Sequence, residues 1–168
     1  IFPTASLTKN LEGTNMTEFG LLQKKGIIGF TDGFKTIQNS RLMSRIMSSA
    51  NDLGSLIMQH AEDSELAKYG MVNDGIISTK LGLQGIPDIA EKIIIERDLT
   101  LLEEYNCRYH ISQISSAKSI DIIKIKKQSL KFSCGVSINN LSLNENDIGN
   151  FKTFLKLSPP LRTENDRI

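Results

Sequence analysis

The sequence has no tryptophan, two cysteines, two histidines and four prolines, and no apolar run reaches the ~18 residues of a membrane span. Each scarcity excludes something. Cys107 and Cys134 form no CxxC or zinc-finger spacing, and each falls inside a strand-like segment, so both are expected as reduced core thiols of a cytoplasmic protein rather than as a disulfide framework. With only His60 and His110, a multi-metal centre built on histidine would be short of ligands. Charge bias is missing too: Lys+Arg 20 against Asp+Glu 19 gives a net charge of +1. No overall field draws in nucleic acid or an anionic membrane, which leaves small molecules and protein surfaces as partners. Also absent are GxGxxG, a P-loop, GxSxG, HExxH and any signal-peptide pattern, which removes the simplest cofactor and hydrolase signatures.

What is present is alternation. At 168 residues and 39% hydrophobic content, the chain is long enough for one domain over 1–168. Strand-like and helix-like segments follow one another nearly throughout, predicting βαβ units around a parallel sheet. Helices are expected over Asn15–Lys25, around Leu42, Met43, Ile46, Met47 and Ala50 with Gly54 as the stop, from Pro87 to about Tyr105 with Ile86, Ile89, Ala90, Ile93 and Ile94 on one face, and from the cap Ser116 through Gln128. Strands are expected over Ile27–Asp32, Leu56–His60, Cys107–Ser115 and Lys131–Ile138. Between Ala61 and Gly85 lies an irregular stretch with four glycines, a candidate active-site loop. The tail Leu157–Arg162 reads as extended and Pro-stiffened.

About four to five βα units are too few for a closed eight-stranded barrel, which takes ~250 residues. The chain opens on Ile1-Phe2-Pro3-Thr4-Ala5 as if a strand were under way and stops at Asn165–Ile168 without a terminating element. The expectation is therefore an α/β fold forming part of a (β/α)8 barrel, a fragment of one catalytic barrel domain.

In such a barrel, functional side chains sit at the carboxyl ends of successive strands. Asp32, at the end of Ile27–Asp32, can act as a metal ligand or general acid/base, or equally as a turn or capping residue beside Gly33. His60 ends Leu56–His60 and can bind a divalent metal, with Glu62 and Asp63 near enough in sequence to orient the ring, or it can be a hydrogen-bonded core histidine. Strand alternation puts His110 and Ser112 on one face, Ile111 and Gln113 on the other. The Asn139, Asn140, Asn144 and Asn146 cluster reads either as polar-substrate chemistry or as turn and capping chemistry before Ile148. Arg162 can clamp a carboxylate or lie exposed, and the lysines at 124, 126, 127 and 131 form a solvated face.

Taken in order, Pro3-Thr4-Ala5 with Leu11-Glu12-Gly13, Gly29-Phe30-Thr31-Asp32-Gly33, His60-Ala61-Glu62-Asp63, Tyr109-His110-Ile111-Ser112 and Pro159-Pro160-Leu161-Arg162 resemble the class I dihydroorotases of the cyclic amidohydrolase superfamily, along essentially the whole chain. The resemblance implies a zinc-dependent hydrolase that interconverts N-carbamoyl-aspartate and dihydroorotate in pyrimidine biosynthesis. It also implies Asp32 as the fourth-strand and His60 as the fifth-strand metal ligand, and Asn139, Ser158 and Arg162 as substrate-binding residues. The sequence departs from the family pattern at several of these places. Gln113 holds the position of the second histidine in H-x-x-H-x-S, Ser158 that of the Asn before Pro-Pro, and Ile138-Asn139-Asn140 that of a histidine-rich segment. The first-strand HxH pair and the eighth-strand Asp lie outside this chain, so the 168 residues alone are expected to be inactive. Gln113 and the missing histidines also motivate an alternative: a non-catalytic homologue acting as a structural partner of aspartate carbamoyltransferase. A second copy of the chain is a further partner in view.

Overall fold

The strand–helix alternation is realised in the computed structural model, which describes residues 1–168. In chain order the elements are β1 (Thr4–Ala5), α1 (Phe19–Gln23), β2 (Gly29–Phe30), α2 (Ser40–Leu53), β3 (Leu56–Gln59), β4 (Val72–Asn73), α3 (Ile76–Leu81), β5 (Gly85–Ile86), α4 (Ile89–Tyr105), β6 (Arg108–Ile114), α5 (Ala117–Lys126), β7 (Ser133–Val136), α6 (Ile138–Ser142) and α7 (Glu164–Arg167). Five strands form one sheet in the order β1-β2-β3-β6-β7, every pair parallel. Neighbours that follow chain order, with crossover helices on one side, describe an arc of a (β/α)8 barrel rather than a doubly wound sheet.

The best-formed crossovers show why the segments fold as they do. In α2, the Asn39 side chain accepts from Leu42 N–H, the buried residues Leu42, Met43, Ile46, Met47 and Ala50 recur every three to four positions, and Gly54 closes the helix at φ 64°. That conformation is left-handed, where glycine carries no Cβ penalty. In α5, Ser116 accepts from Lys118 N–H as the cap. The face of α4 differs from expectation. Ile89 and Ile93 are 44% and 40% exposed, while Ala90, Glu91, Ile94, Ile95, Asp98, Leu99 and Leu102 are buried. A run of three isoleucines fits more than one face, and the buried partners of Glu91 and Asp98 decide which one turns inward.

The core lies between sheet and helices. Phe30, Ile57 and Tyr109, in register across β2, β3 and β6, meet the apolar faces of α2 and α4. The opposite face of the sheet, toward the barrel axis, carries Met58, His110 and Ser133 in one row. The stretch 61–85 is not an irregular loop: β4 and β5 pair in parallel with α3 between them. They form a satellite unit whose small core joins Val72 to Ile148 and Leu161. The first helix is shorter than its capping pattern suggests, and the chain from Asn15 to Glu18 is spent on pairing Met16 with Thr8.

Candidate functional site

Asp32 follows β2 by two residues and His60 follows β3 directly, so both stand at the carboxyl edge of the sheet, and both are buried. Their surroundings differ. Asp32 accepts hydrogen bonds from Thr8 N–H at 3.0 Å and from the Thr8 hydroxyl, which ties the segment after β1 to the end of β2. The ring of His60 is shared with Ser158, whose Oγ lies 3.1 Å from Nε2, and Glu62 Oε1 is 3.9 Å from the same nitrogen. Nδ1 of His60 is buried with no partner. Phe34 stands edge-on to the imidazole, ring centres 6.4 Å apart.

Two clefts share Phe34. Asp32 and Glu62 open into one, together with Thr36 and Gln38. Gln113, Ser137, Asn139, Asn140, Lys156 and Ser158 border the other, of about 400 Å³. The structure thus brings Asn139, Ser158 and Gln113 together and leaves Asp32 on the far side of Phe34.

Gln113 reaches this cleft against simple alternation. On β6, Tyr109 and Ile111 face the helices, which would send Gln113 the same way. The β6–β7 pairing runs from Ile111↔Cys134 to Ile114↔Val136, one residue longer on β6. This bulge reverses the facing of everything after it, so Ile114 packs on the core and Gln113 lines the cleft. Gly135 accommodates the bulge, since a Cβ there would lie 2.7 Å from the Ser112 carbonyl oxygen.

The asparagine cluster divides by role. Asn139 and Asn140 lie in α6, not in a loop, and border the cleft. Asn144 caps the 3-10 turn Glu145–Ile148, accepting from Asn146 N–H. Arg162 turns inward, at 3% exposure. It donates from Nε to Ser115 Oγ at 3.1 Å and from one terminal nitrogen to Asn73 Oδ1 at 2.9 Å and the Ile86 carbonyl at 2.6 Å. Burial lowers its pKa, and Glu91, Asp88, Asp166 and Glu62 oppose that shift in descending order. Ser115 in turn binds Glu91 through backbone and hydroxyl. The sequence reading passed over Glu91 and Asp98. Their signal was two acids seven residues apart on a helix side that also carries Ile94, Ile95 and Leu102.

His110 sits half-buried on the axial face with Nδ1 2.8 Å from Ser133 Oγ. Burial lowers its pKa, so the unfolded chain binds this proton more readily than the fold does. Its contribution is constant above the unfolded pKa of about 6.5 and turns against the fold as pH falls below it. Urea stability should therefore drop between about pH 7 and about pH 5, and drop less in His110→Gln. Equal slopes would remove His110 as the cause. Cys107 and Cys134 are both free, and burial pushes the Cys107 thiol up to about 11, toward inertness.

Zinc prefers four nitrogen, sulfur or carboxylate donors in a tetrahedron. His60, with its orphaned buried nitrogen, fits one such position. The rest of the set does not fit: Thr8 holds Asp32, the cleft side chains are amides and hydroxyls, and no group of three or more His, Cys, Asp or Glu lies close enough to hold a metal ion.

A sequence model described as dihydro-orotase-like matches residues 1–119. The chain belongs to this dihydroorotase-like family. A dihydroorotase of Ehrlichia canis is 43% identical over 98% of the chain, and one of Desulforapulum autotrophicum is 34% identical over 100%. The chain spans 37% and 40% of those relatives' lengths. Among solved structures, the L-hydantoinase of Arthrobacter aurescens superposes with TM-score 0.73 at 19% identity, covering 96% of this chain and 38% of that one. The D-hydantoinase of a Thermus species gives 0.72 at 18%, covering 97% and 38%. The fold of this dihydroorotase-like chain is thus that of part of an amidohydrolase-type barrel. No helix in it is long and apolar enough to cross a membrane.

Proposed function

We propose that the chain forms part of the catalytic barrel of a dihydroorotase-like hydrolase, acting on a cyclic amide C–N bond and interconverting dihydroorotate and N-carbamoyl-aspartate in the cytoplasm. The observation that carries this reading is His60: a buried imidazole at the carboxyl end of β3, in a chain of this family, with one ring nitrogen left unpartnered. The zinc that the family resemblance implies is proposed for a closed barrel only, with His60 as this chain's donor, Asp32 joining it only where Thr8 gives up the carboxylate it holds here, and others from strands outside the five present.

Within these residues, the Ser158 hydroxyl holds the His60 ring at Nε2, with the Glu62 carboxylate 3.9 Å from the same nitrogen, which sets the direction of a histidine that binds or moves a proton. Asn139 and Ser158 are proposed to contact substrate. Arg162 is proposed to serve by holding the Ser158–Leu161 strap in place. A scaffold role toward aspartate carbamoyltransferase finds no supporting feature in the fold or among the relatives.

Dihydroorotate ring opening tests the reading. The 168-residue chain should turn over no faster than buffer, because its sheet is an open arc and its donor set incomplete. A longer protein containing it should be active, and His60→Ala should lower that rate by more than the roughly 10–100-fold typical of residues that only orient a ligand. Unchanged turnover in His60→Ala would overturn the role given to His60.

A further inference from the structure

The satellite unit carries a hollow of about 180 Å³ that shares only Lys156 with the cleft beside Ser158. Val72 of β4 and Ile148 form its buried floor, joined by the half-buried Leu83, before β5, and Leu155, which ends the 3-10 turn Thr153–Leu155. Met71 and Phe151 wall it and are 42% and 57% exposed, so the small core leaves much of their apolar surface uncovered. Phe151 has φ 57°, a conformation that bulky side chains rarely adopt, and its ring stays out of the core that Val72, Ile148 and Leu161 form. The rest of the lining is Lys152, Thr153 and Lys156, all exposed, with no carboxylate. Lys152 Nζ donates to the Asp147 carbonyl at 3.1 Å, and neither lysine forms a salt bridge. An apolar hollow offers water few hydrogen-bond partners, so an apolar group that displaces it gains affinity. Two unpaired cations at the rim set the charge of the polar end.

We infer that this hollow binds an unbranched medium-chain carboxylate, its alkyl chain against Val72, Leu83, Ile148 and Leu155 and its carboxylate at Lys152 and Lys156. The volume selects a small molecule: liquid water takes about 30 Å³ per molecule, so 180 Å³ is the space of about six, enough for a short alkyl chain. A cyclic amide fits poorly, since its N–H and carbonyl groups would leave water with only two ammonium groups and the Thr153 hydroxyl to replace it. The site is therefore separate from the hydrolase reading and independent of it. Exposed ion pairs are screened by salt and contribute little. The chain thus supplies most of the affinity, and the lysines decide the sign of the head group.

Calorimetric or NMR titration of the 168-residue chain with butanoate, hexanoate and octanoate tests this. Octanoate should bind with Kd below about 1 mM, and affinity should rise about fourfold per added methylene until the chain outgrows the hollow. At about 0.01 M salt, octanoate should bind at least about fivefold tighter than octylammonium, a preference that shrinks at about 0.15 M. Met71→Asp removes one wall and adds a negative charge, and should weaken octanoate binding by at least about tenfold. Circular dichroism confirms that this variant is folded. Should it not fold, the double variant Lys152→Glu with Lys156→Glu, at exposed positions, carries the test and should reverse the head-group preference. Four results would each overturn the proposal: no saturable octanoate binding, equal affinity for butanoate and hexanoate, octylammonium binding as tight as octanoate at low salt, or undiminished binding in the folded Met71→Asp variant. Octanoate bound by the 168-residue chain but not by a longer protein containing it would overturn it too, by showing that further residues of the same protein fill the hollow.

Discussion

Asp98→Ala should lower the unfolding free energy by about 3–5 kcal/mol, the cost of breaking a buried charged pair by removing one partner. Asp98 is completely buried. It accepts from Gln59 Nε2 at 2.5 Å, from the Tyr109 hydroxyl at 2.6 Å, and from Arg97 Nε and Nη2 at 2.9 and 2.7 Å. Burial raises its pKa, opposed first by the Arg97 guanidinium, and burial also raises that of the Tyr109 phenol, with Asp98 adding to the shift. Gln59 passes the connection on, since its Oε1 accepts from Ile37 N–H at 3.0 Å. One carboxylate therefore joins α4, β3, β6 and the loop before α2, immediately behind His60. Urea denaturation of the chain measures the effect. Asp98→Asn keeps the size and one acceptor oxygen and should lose about 1–3 kcal/mol. A loss below about 1 kcal/mol in Asp98→Ala would show that the network does not hold these elements together.

Arg162→Ala should have an effect of similar size, about 3–5 kcal/mol, because Glu91, Ser115 and Asn73 are left buried without it. Arg162→Lys should recover little, since an ammonium has no planar fork with which to reach Ser115, Asn73 and the Ile86 carbonyl together. The loss should also have a location. Arg162 joins the C-terminal strap to the β4–β5 unit and, through Ser115, to the end of β6. Asn73 extends the network to Glu145, whose N–H in turn bonds the Arg162 carbonyl. Hydrogen exchange should speed up over 72–86 and 143–168 before it does over α2 and β3. Unchanged protection in those two segments would exclude Arg162 as their tie.

These two residues mark where the sequence was readable and where it was not. For α2, the periodic burial, the Asn39 cap and the Gly54 stop are all local, and they are visible in the letters because each involves residues within one or two turns. The strands that precede Asp32 and His60 were visible as short apolar runs between turn signals, although the one expected over Ile27–Asp32 pairs only at Gly29–Phe30. The β4–β5 unit was missed because two-residue strands carry no measurable period. The face of α4 was misassigned because Ile89 and Ile93 are as apolar as the residues that are buried. Only Gln59, Tyr109 and Ser115, which are distant in sequence, explain why Glu91 and Asp98 turn inward.

The sequence by itself determined the alternation of strand and helix, the order of the motifs that tie the chain to its family, and the placing of Asp32 and His60 at strand ends. Each of these depends on short-range pattern or on residue identity. Tertiary structure alone decided that Thr8 occupies the Asp32 carboxylate, that Arg162 is an internal tie, and that a bulge turns Gln113 toward Asn139, Asn140 and Ser158. Those outcomes depend on which distant groups meet, and a one-residue shift in strand pairing or the arrival of one hydroxyl at a carboxylate leaves no periodic trace in a linear sequence.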